Sequence, residues 1–337
     1  MKVAYFNVKD SDREYFTLNQ IEGITIDLID GVLNDESIPE DASEYDAIST
    51  FVNSRVSKKV IEAFPNVKYI TTRSTGFDHV DIATAKEKGI VVSNVPSYGE
   101  NTVAEHTFAL LLTLSKRIYE SYDRLREKGI FSPEDMTGFD LRGKTLGVIG
   151  MGTIGKNVIK IAKGFDMHII ASDTNPDLKC AEEFNVECKS FEEVLALADI
   201  VTLHIPHNDS THHLLNKETM AKMKDGAVLL NTSRGPIVKT EALVEALKSG
   251  KLAGAGLDVL EEEGVIRDEL EFLATGHPKG ESLKILLANH AFIDLPNVIV
   301  TPHNAFNTKE ALQRIVDTTV ENLKSFKEGK PINVVNK

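Results

Sequence analysis

The sequence predicts an α/β protein built from two doubly wound parallel-sheet domains, and three observations carry that prediction. At 337 residues the chain exceeds what one hydrophobic core commonly organises, so two interiors are expected. Short apolar runs alternate with helical patterns in two separate series, which is the rhythm of parallel sheets with crossover helices. Between the series, residues 101–128 read as one long helix, with Val103, His106, Thr107, Leu110, Leu111, Leu114 and Ile118 at helical spacing. A helix of that length suits a connector between domains.

The first series offers strands at residues 3–6, 25–28, 47–51, 69–72 and 90–92, enough for a small open parallel sheet. Breakers at Ser132-Pro133 and Thr137-Gly138 end the connector region. The second series offers strands at 145–149, 168–172, 200–204, 227–231, 254–258 and 298–301, and so predicts a six-stranded doubly wound sheet. An acidic stretch over 261–271, followed by the glycines at 276 and 280, interrupts the rhythm as a surface insertion, and a last helix is expected over about 308–327.

Composition narrows the function classes. A formal net charge of -13 disfavours nucleic acid or an anionic membrane surface as partner, because both repel the chain at long range. It says nothing against a small anionic substrate held by local cations. Cys180 and Cys188 are the two cysteines, too few for a disulfide framework and not in a CxxC arrangement. No basic leader precedes the first strand and no apolar run is long enough to span a bilayer, so a soluble cytoplasmic protein is expected. His204, His207, His212 and His213 cluster in sequence, but they fall after a strand and beside Pro206 and Asp209 without convergent thiolates, so no metal site is expected.

The strongest local signal is the run Gly150-Met151-Gly152-Thr153-Ile154-Gly155. It follows the strand 145–149, opens an amphipathic helix to about Phe165, and leads to a second strand closed by Asp173. The first glycine permits the tight turn, the second lets a pyrophosphate approach the backbone, and the third lets helix and strand pack closely. Bare N–H groups at the helix start then face the phosphates. Asp173 can accept hydrogen bonds from an adenosine ribose and would repel a 2′-phosphate; Thr174 and Asn175 follow it rather than arginines. The dinucleotide is therefore expected to be NAD rather than NADP.

Ligands of open α/β sheets gather beyond the carboxyl ends of the strands. Three turns there carry chemistry: Thr232-Ser233-Arg234-Gly235, the carboxylates from Glu261 to Glu263 after Asp258, and Pro302-His303-Asn304. An arginine fork can hold a carboxylate bidentately, and a histidine can give or take a hydroxyl proton near neutral pH. A carboxylate behind the imidazole would fix its tautomer and stabilise the imidazolium. Together with a dinucleotide, this set suits redox chemistry at a carbinol carbon.

At these residues the chain resembles the D-isomer-specific 2-hydroxyacid dehydrogenases, and within them the D-lactate dehydrogenase branch. The resemblance runs from about Tyr69 onward, through Arg73-Ser74-Thr75-Gly76-Phe77-Asp78, Asn94-Val95-Pro96-Ser97-Tyr98, Val103-Ala104-Glu105-His106, the glycine turn, Asn231-Thr232-Ser233-Arg234-Gly235, Gly256-Leu257-Asp258-Val259 and Thr301-Pro302-His303. It implies that Arg234 binds the substrate carboxylate and that His303 is the acid/base. It further implies Glu263 as the partner of His303, with Glu261 the nearest rival. Thr75 and Gly76 are implied to add backbone donors for the carboxylate, with Tyr98 and Phe306 near the substrate. Thr232, Ser233, Asp258 and His303 would meet the nicotinamide side of the cofactor, and Ile205 and Pro206 the adenine side. The implied domains are a flavodoxin-like substrate domain, residues 1–100 and 302–337, and a Rossmann NAD-binding domain, residues 101–301, with the active site in a cleft between them. A homodimer built on the nucleotide domain is also implied.

Departures from the family pattern touch the substrate side chain. Leu260 stands where relatives often carry an aromatic residue, and Asn304 and Asn307 flank Phe306 where the lactate branch often has an apolar residue and then a tyrosine. Pyruvate and D-lactate remain the first expectation, with other 2-keto acids next. The rivals are D-3-phosphoglycerate or glycerate/glyoxylate dehydrogenase and, from another class, an NAD-sensing corepressor-like binding protein.

Overall fold

The computed structural model describes residues 1–261, 263, 292 and 295–337. The predicted insertion over 261–271 and its glycines therefore lie largely outside the described residues. Contacts divide the chain into two compact units, Met1–Tyr98 with Thr308–Lys337, and Gly99–Asn307.

In unit 1 five parallel strands, β1 (Lys2–Tyr5), β2 (Thr25–Leu28), β3 (Ala47–Thr50), β4 (Tyr69–Thr72) and β5 (Val91–Ser93), form a sheet of order β2-β1-β3-β4-β5. That is the flavodoxin-like doubly wound order. Successive side chains alternate across it. Ala4, Ile48, Ile70 and Val92 pack on one face with Val60 of α2 (Lys58–Ala63), with Phe64 just after that helix, and with Ala85 of α3 (Ile82–Glu87). Val3, Ala47 and Tyr69 pack on the other face with Leu323. Helix α1 (Asp10–Leu18) follows β1.

Unit 2 opens on α4 (Glu100–Ser115) and α5 (Ile118–Lys128), where one continuous helix is expected. The break is at Arg117, whose φ of 49° is left-handed. There the Ser115 carbonyl accepts the N–H of Phe139 at 2.8 Å, and the Arg117 guanidinium is held by Glu120 and by the Asp135 carbonyl. Partners distant in sequence thus divide a pattern that is helical locally.

The sheet of unit 2 comprises β6 (Thr145–Ile149), β7 (His168–Ser172), β8 (Glu187–Cys188), β9 (Ile200–Leu203), β10 (Ala227–Asn231), β11 (Leu252–Leu257) and β12 (Val298–Val300). All pair in parallel, in the order β12-β11-β10-β9-β6-β7-β8. The sheet is seven-stranded rather than six-stranded. β8 escapes pattern reading because its two residues are both exposed. Leu146 and Val148 of β6 face a core shared with α4 and with α6 (Thr153–Gly164), while Ile149 faces the core of α8 (Phe191–Leu197) and α10 (Thr240–Lys248). The chain order reverses between β6 and β9, which makes their carboxyl ends the ligand position of a Rossmann sheet.

Between these lie α7 (Leu178–Phe184) and α9 (Lys217–Ala221), and α11 (Lys309–Lys327) returns to unit 1. Tyr69 and Phe326 of α11 stack there with ring centroids 4.2 Å apart. Residues 302–307, expected with the substrate domain, belong to unit 2. The cause is a partner distant in sequence, since Asp258 accepts the N–H groups of Asn304 and Ala305.

Candidate active site

β6 ends in a turn that requires its glycines. Gly150 has φ 99°, and a Cβ there would lie 2.4 Å from the His204 carbonyl oxygen. A Cβ on Gly155 would lie 2.0 Å from the Gly150 oxygen, so helix α6 can start this close to the strand only with glycine present. Gly152 is different, because a Cβ there would meet nothing within 4 Å. Its surface, ahead of the orphan N–H groups of Thr153 and Ile154 that open α6, is where an anionic pyrophosphate fits.

Asp173 lies at the same turn. Its Oδ2 accepts the Met151 N–H at 2.6 Å and its Oδ1 the Asn175 N–H at 2.8 Å, which leaves lone pairs on both oxygens for ribose hydroxyls. Ile205 brings its Cγ2 to within 2.9 Å of the position a Gly150 Cβ would take, and Pro206 after it is exposed. The His204 ring bonds Thr202 through Nε2 at 2.8 Å, while its Nδ1 is sealed from solvent without a partner. Burial of that inner edge pushes its pKa down to about 3, although the residue as a whole is only half-buried. The ring is therefore neutral beside the cofactor turn.

The turn after β10 is pinned by Asn231, which accepts the Ser233 N–H at 3.0 Å and donates to the Arg234 carbonyl at 3.0 Å. Ser233 Oγ donates to the Leu203 carbonyl at 2.6 Å, and Thr232 Oγ1 meets Thr107 Oγ1 of α4 at 3.0 Å. Gly235 packs its backbone on the next turn, where a Cβ would lie 2.0 Å from the Leu260 oxygen. The half-buried Arg234 bonds the Ser233 carbonyl through Nη1 at 2.8 Å.

His303 Nδ1 lies 2.8 Å from Glu263 Oε1. In that pairing Nδ1 donates, and the second ring nitrogen, Nε2, takes no part in it. Glu261 is otherwise engaged: its Oε1 lies 2.6 Å from His213 Nε2 and its Oε2 accepts the Thr240 N–H at 2.6 Å. A cavity of about 530 Å³ is lined, among the described residues, by Asp258, Leu260, Glu263, Thr301, Pro302 and His303 together with Tyr119 and β12. Phe306, half-buried, lies on the same turn as His303 and near Gly99.

Sequence reasoning left two histidines without a role here. His213 was visible only as part of a histidine run, and nothing local connects it with Glu261. His106 lies within a motif of α4, yet its partners Thr301 and Asp258 are far along the chain.

In unit 1, Thr75 follows β4, and its N–H and that of Gly76 have no acceptor among the described residues. The loop is held from behind by a series of amides. Asn94 Nδ2 donates to the Thr75 carbonyl at 2.8 Å, Asn322 of α11 to the Asn94 carbonyl at 2.9 Å, and Asn333 to Asn322 Oδ1 at 2.8 Å. Tyr98 is half-buried, and its carbonyl accepts the Arg314 Nε–H at 2.6 Å.

Comparison with known proteins matches this arrangement to one family. Residues 108–305 match the model described as "D-isomer specific 2-hydroxyacid dehydrogenase, NAD binding domain". A D-lactate dehydrogenase from Escherichia coli is 37% identical over 98% of each chain. An aromatic 2-oxoacid reductase from Clostridium sporogenes is 38% identical over 97% of this chain and 96% of its own. The crystal structure of a D-lactate dehydrogenase from Aquifex aeolicus with NAD and lactic acid superimposes with a TM-score of 0.87, at 35% identity over 99% of both chains. The chain belongs to the D-isomer-specific 2-hydroxyacid dehydrogenase family. Its cofactor is NAD, and the glycine turn, the first turn of α6 and Asp173 fit that group.

Proposed function

We propose that this protein reduces a 2-keto acid, pyruvate first, with NADH to the D-2-hydroxy acid. The observation that carries the reading is the 2.8 Å pair of His303 Nδ1 with Glu263, in the unit that bears the glycine turn. Bound NADH supplies the hydride. Protonated His303 gives its Nε2 proton to the carbonyl oxygen while Glu263 stabilises the imidazolium through Nδ1. Arg234 binds the substrate carboxylate and polarises the adjacent carbonyl. Unit 1 is assigned as the substrate domain, with the Thr75 and Gly76 N–H groups adding donors for the carboxylate and Tyr98 and Phe306 near the substrate side chain. Unit 2 is assigned as the NAD-binding domain.

The similarity to an E. coli D-lactate dehydrogenase supports pyruvate. The similarity to an aromatic 2-oxoacid reductase makes aromatic 2-keto acids the second candidates. NADH consumption with a panel of 2-keto acids, followed by chiral analysis of the product, decides. Pyruvate giving the highest kcat/KM and D-lactate as product is the expected result, and an L product or no turnover with any keto acid overturns the reading. His303→Ala should lose about 100-fold or more in kcat.

The protein is further proposed to be a cytoplasmic homodimer built on unit 2. No described helix is long and apolar enough to cross a membrane. Helix α5 exposes Ile118, Tyr119, Tyr122 and Leu125 at 52%, 59%, 58% and 45%, an apolar face larger than a surface helix commonly leaves in water. Sedimentation should show a dimer that Tyr122→Glu dissociates.

A further inference from the structure

His106 is a polar side chain that the reading above leaves without a role, although its contacts reach the turn that carries His303. It stands on α4, and its Nε2 lies 3.0 Å from Thr301 Oγ1 and 3.4 Å from Asp258 Oδ1. Thr301 follows β12 and donates its hydroxyl to Asp258 Oδ1 at 2.5 Å. A threonine hydroxyl has one proton, so with that proton on Asp258 it can only accept from His106, whose Nε2 must carry the hydrogen.

Asp258 is 1% exposed. A carboxylate buried to that degree is costly unless donors surround it. Its donors are the Thr301 hydroxyl and the N–H groups of Asn304, at 2.8 Å, and Ala305, at 2.9 Å. Among the described residues His106 is the one basic side chain within 4 Å of it.

Both of those N–H groups belong to the turn that begins at His303, and the Asp258 carbonyl accepts the N–H of His303 itself at 2.8 Å. His303 has φ 51°, a left-handed conformation that a residue with a Cβ adopts only when its surroundings impose it. Asp258 imposes it here by gripping the turn at three consecutive residues. His106 and Thr301 in turn set the orientation and hydrogen order of Asp258.

We propose that His106 is a positioning residue for the acid/base histidine. Through Thr301 and Asp258 it holds the His303 turn in the geometry that pairs Nδ1 with Glu263 and leaves Nε2 for substrate. The inference rests on the proposed role of His303 as proton donor. A merely structural His106 would be worth stability alone, and its loss would leave the chemical step unchanged in the folded enzyme.

The test uses the full-length protein with NADH and whichever 2-keto acid it turns over best. His106→Leu should lower kcat by about 10-fold or more, with the NADH dissociation constant changed by less than about 3-fold. His106→Gln, which can place an N–H where Nε2 stood, should recover most of the loss. Thr301→Val should reproduce the defect, and the double variant should be no worse than either single one, because the three side chains act as one series. Wild-type kcat in His106→Leu overturns the inference, as does a Gln variant as impaired as the Leu variant, or full additivity with Thr301→Val. Should His106→Leu fail to fold, the Gln and Val variants carry the same comparison. Failure of the underlying function reads differently, since the unmodified protein would then turn over no 2-keto acid.

Discussion

Glu263 Oε1 lies 2.8 Å from His303 Nδ1, while Glu261, two positions earlier, takes His213 at 2.6 Å. The two carboxylates are thus predicted to fail differently. Glu263→Gln removes the carboxylate that orients the imidazole through Nδ1, and should lower kcat by about 10-fold while thermal stability changes little. Glu261→Gln should leave kcat close to that of the unmodified protein and lower thermal stability. Unchanged kcat in Glu263→Gln refutes the pairing.

Arg234→Lys keeps the charge but loses the fork. It should raise KM for the keto acid and lower kcat together, a loss of about 100-fold in kcat/KM, because orientation and polarisation go at once. The NADH dissociation constant, read by fluorescence titration, should change little. A pure KM effect would mean that Arg234 binds substrate without polarising it.

Asp173 accepts two backbone N–H groups at the glycine turn and is the proposed ribose partner, whose charge would repel a 2′-phosphate. NADH should therefore exceed NADPH in kcat/KM, and Asp173→Ala should narrow the ratio by lowering kcat/KM with NADH. Higher kcat/KM with NADPH in the unmodified protein would contradict the assignment.

His204, pushed down to about 3 by burial, ties stability to pH. Its folded-state value lies below the ordinary 6.5, so the stability it permits is full above 6.5 and is lost as pH falls from there toward 3. His204→Gln can keep the bond to Thr202 without titrating. Acid unfolding followed by circular dichroism should then shift to lower pH by about half a unit; a shift to higher pH would show that the ring is not held neutral.

Asn322 is fully buried and donates to the carbonyl of Asn94, whose own amide holds Thr75. Asn322→Leu leaves buried polar partners unmet and should cost about 2 kcal/mol in unfolding free energy. In the folded fraction KM for the keto acid should rise more than KM for NADH. Equal changes in both would confine Asn322 to stability.

Much of this arrangement is local and therefore readable. Residues 145–149, 168–172 and 227–231 coincide with strands because apolar runs of that length between turn residues have few other solutions. The glycine turn is equally local, since sterics at Gly150 and Gly155 act within one strand and one helix. Reading failed where a distant partner intervenes. The helix pattern over 101–128 says nothing of Phe139, which takes the Ser115 carbonyl and divides the helix at Arg117. Residues 302–307 carry no sign that Asp258 binds them to unit 2.

The sequence by itself determined the two series of strands, the dinucleotide turn and the residue types of the chemistry, because each depends on periodicity or on sterics within a few residues. Only the tertiary structure decided which carboxylate meets which histidine. Glu261 and Glu263 are chemically alike and nearly adjacent, and their fates differ because His213 comes from the loop after β9 and His303 from the turn after β12. Such pairings are set by where strands distant in sequence end in the sheet, and no local pattern encodes that.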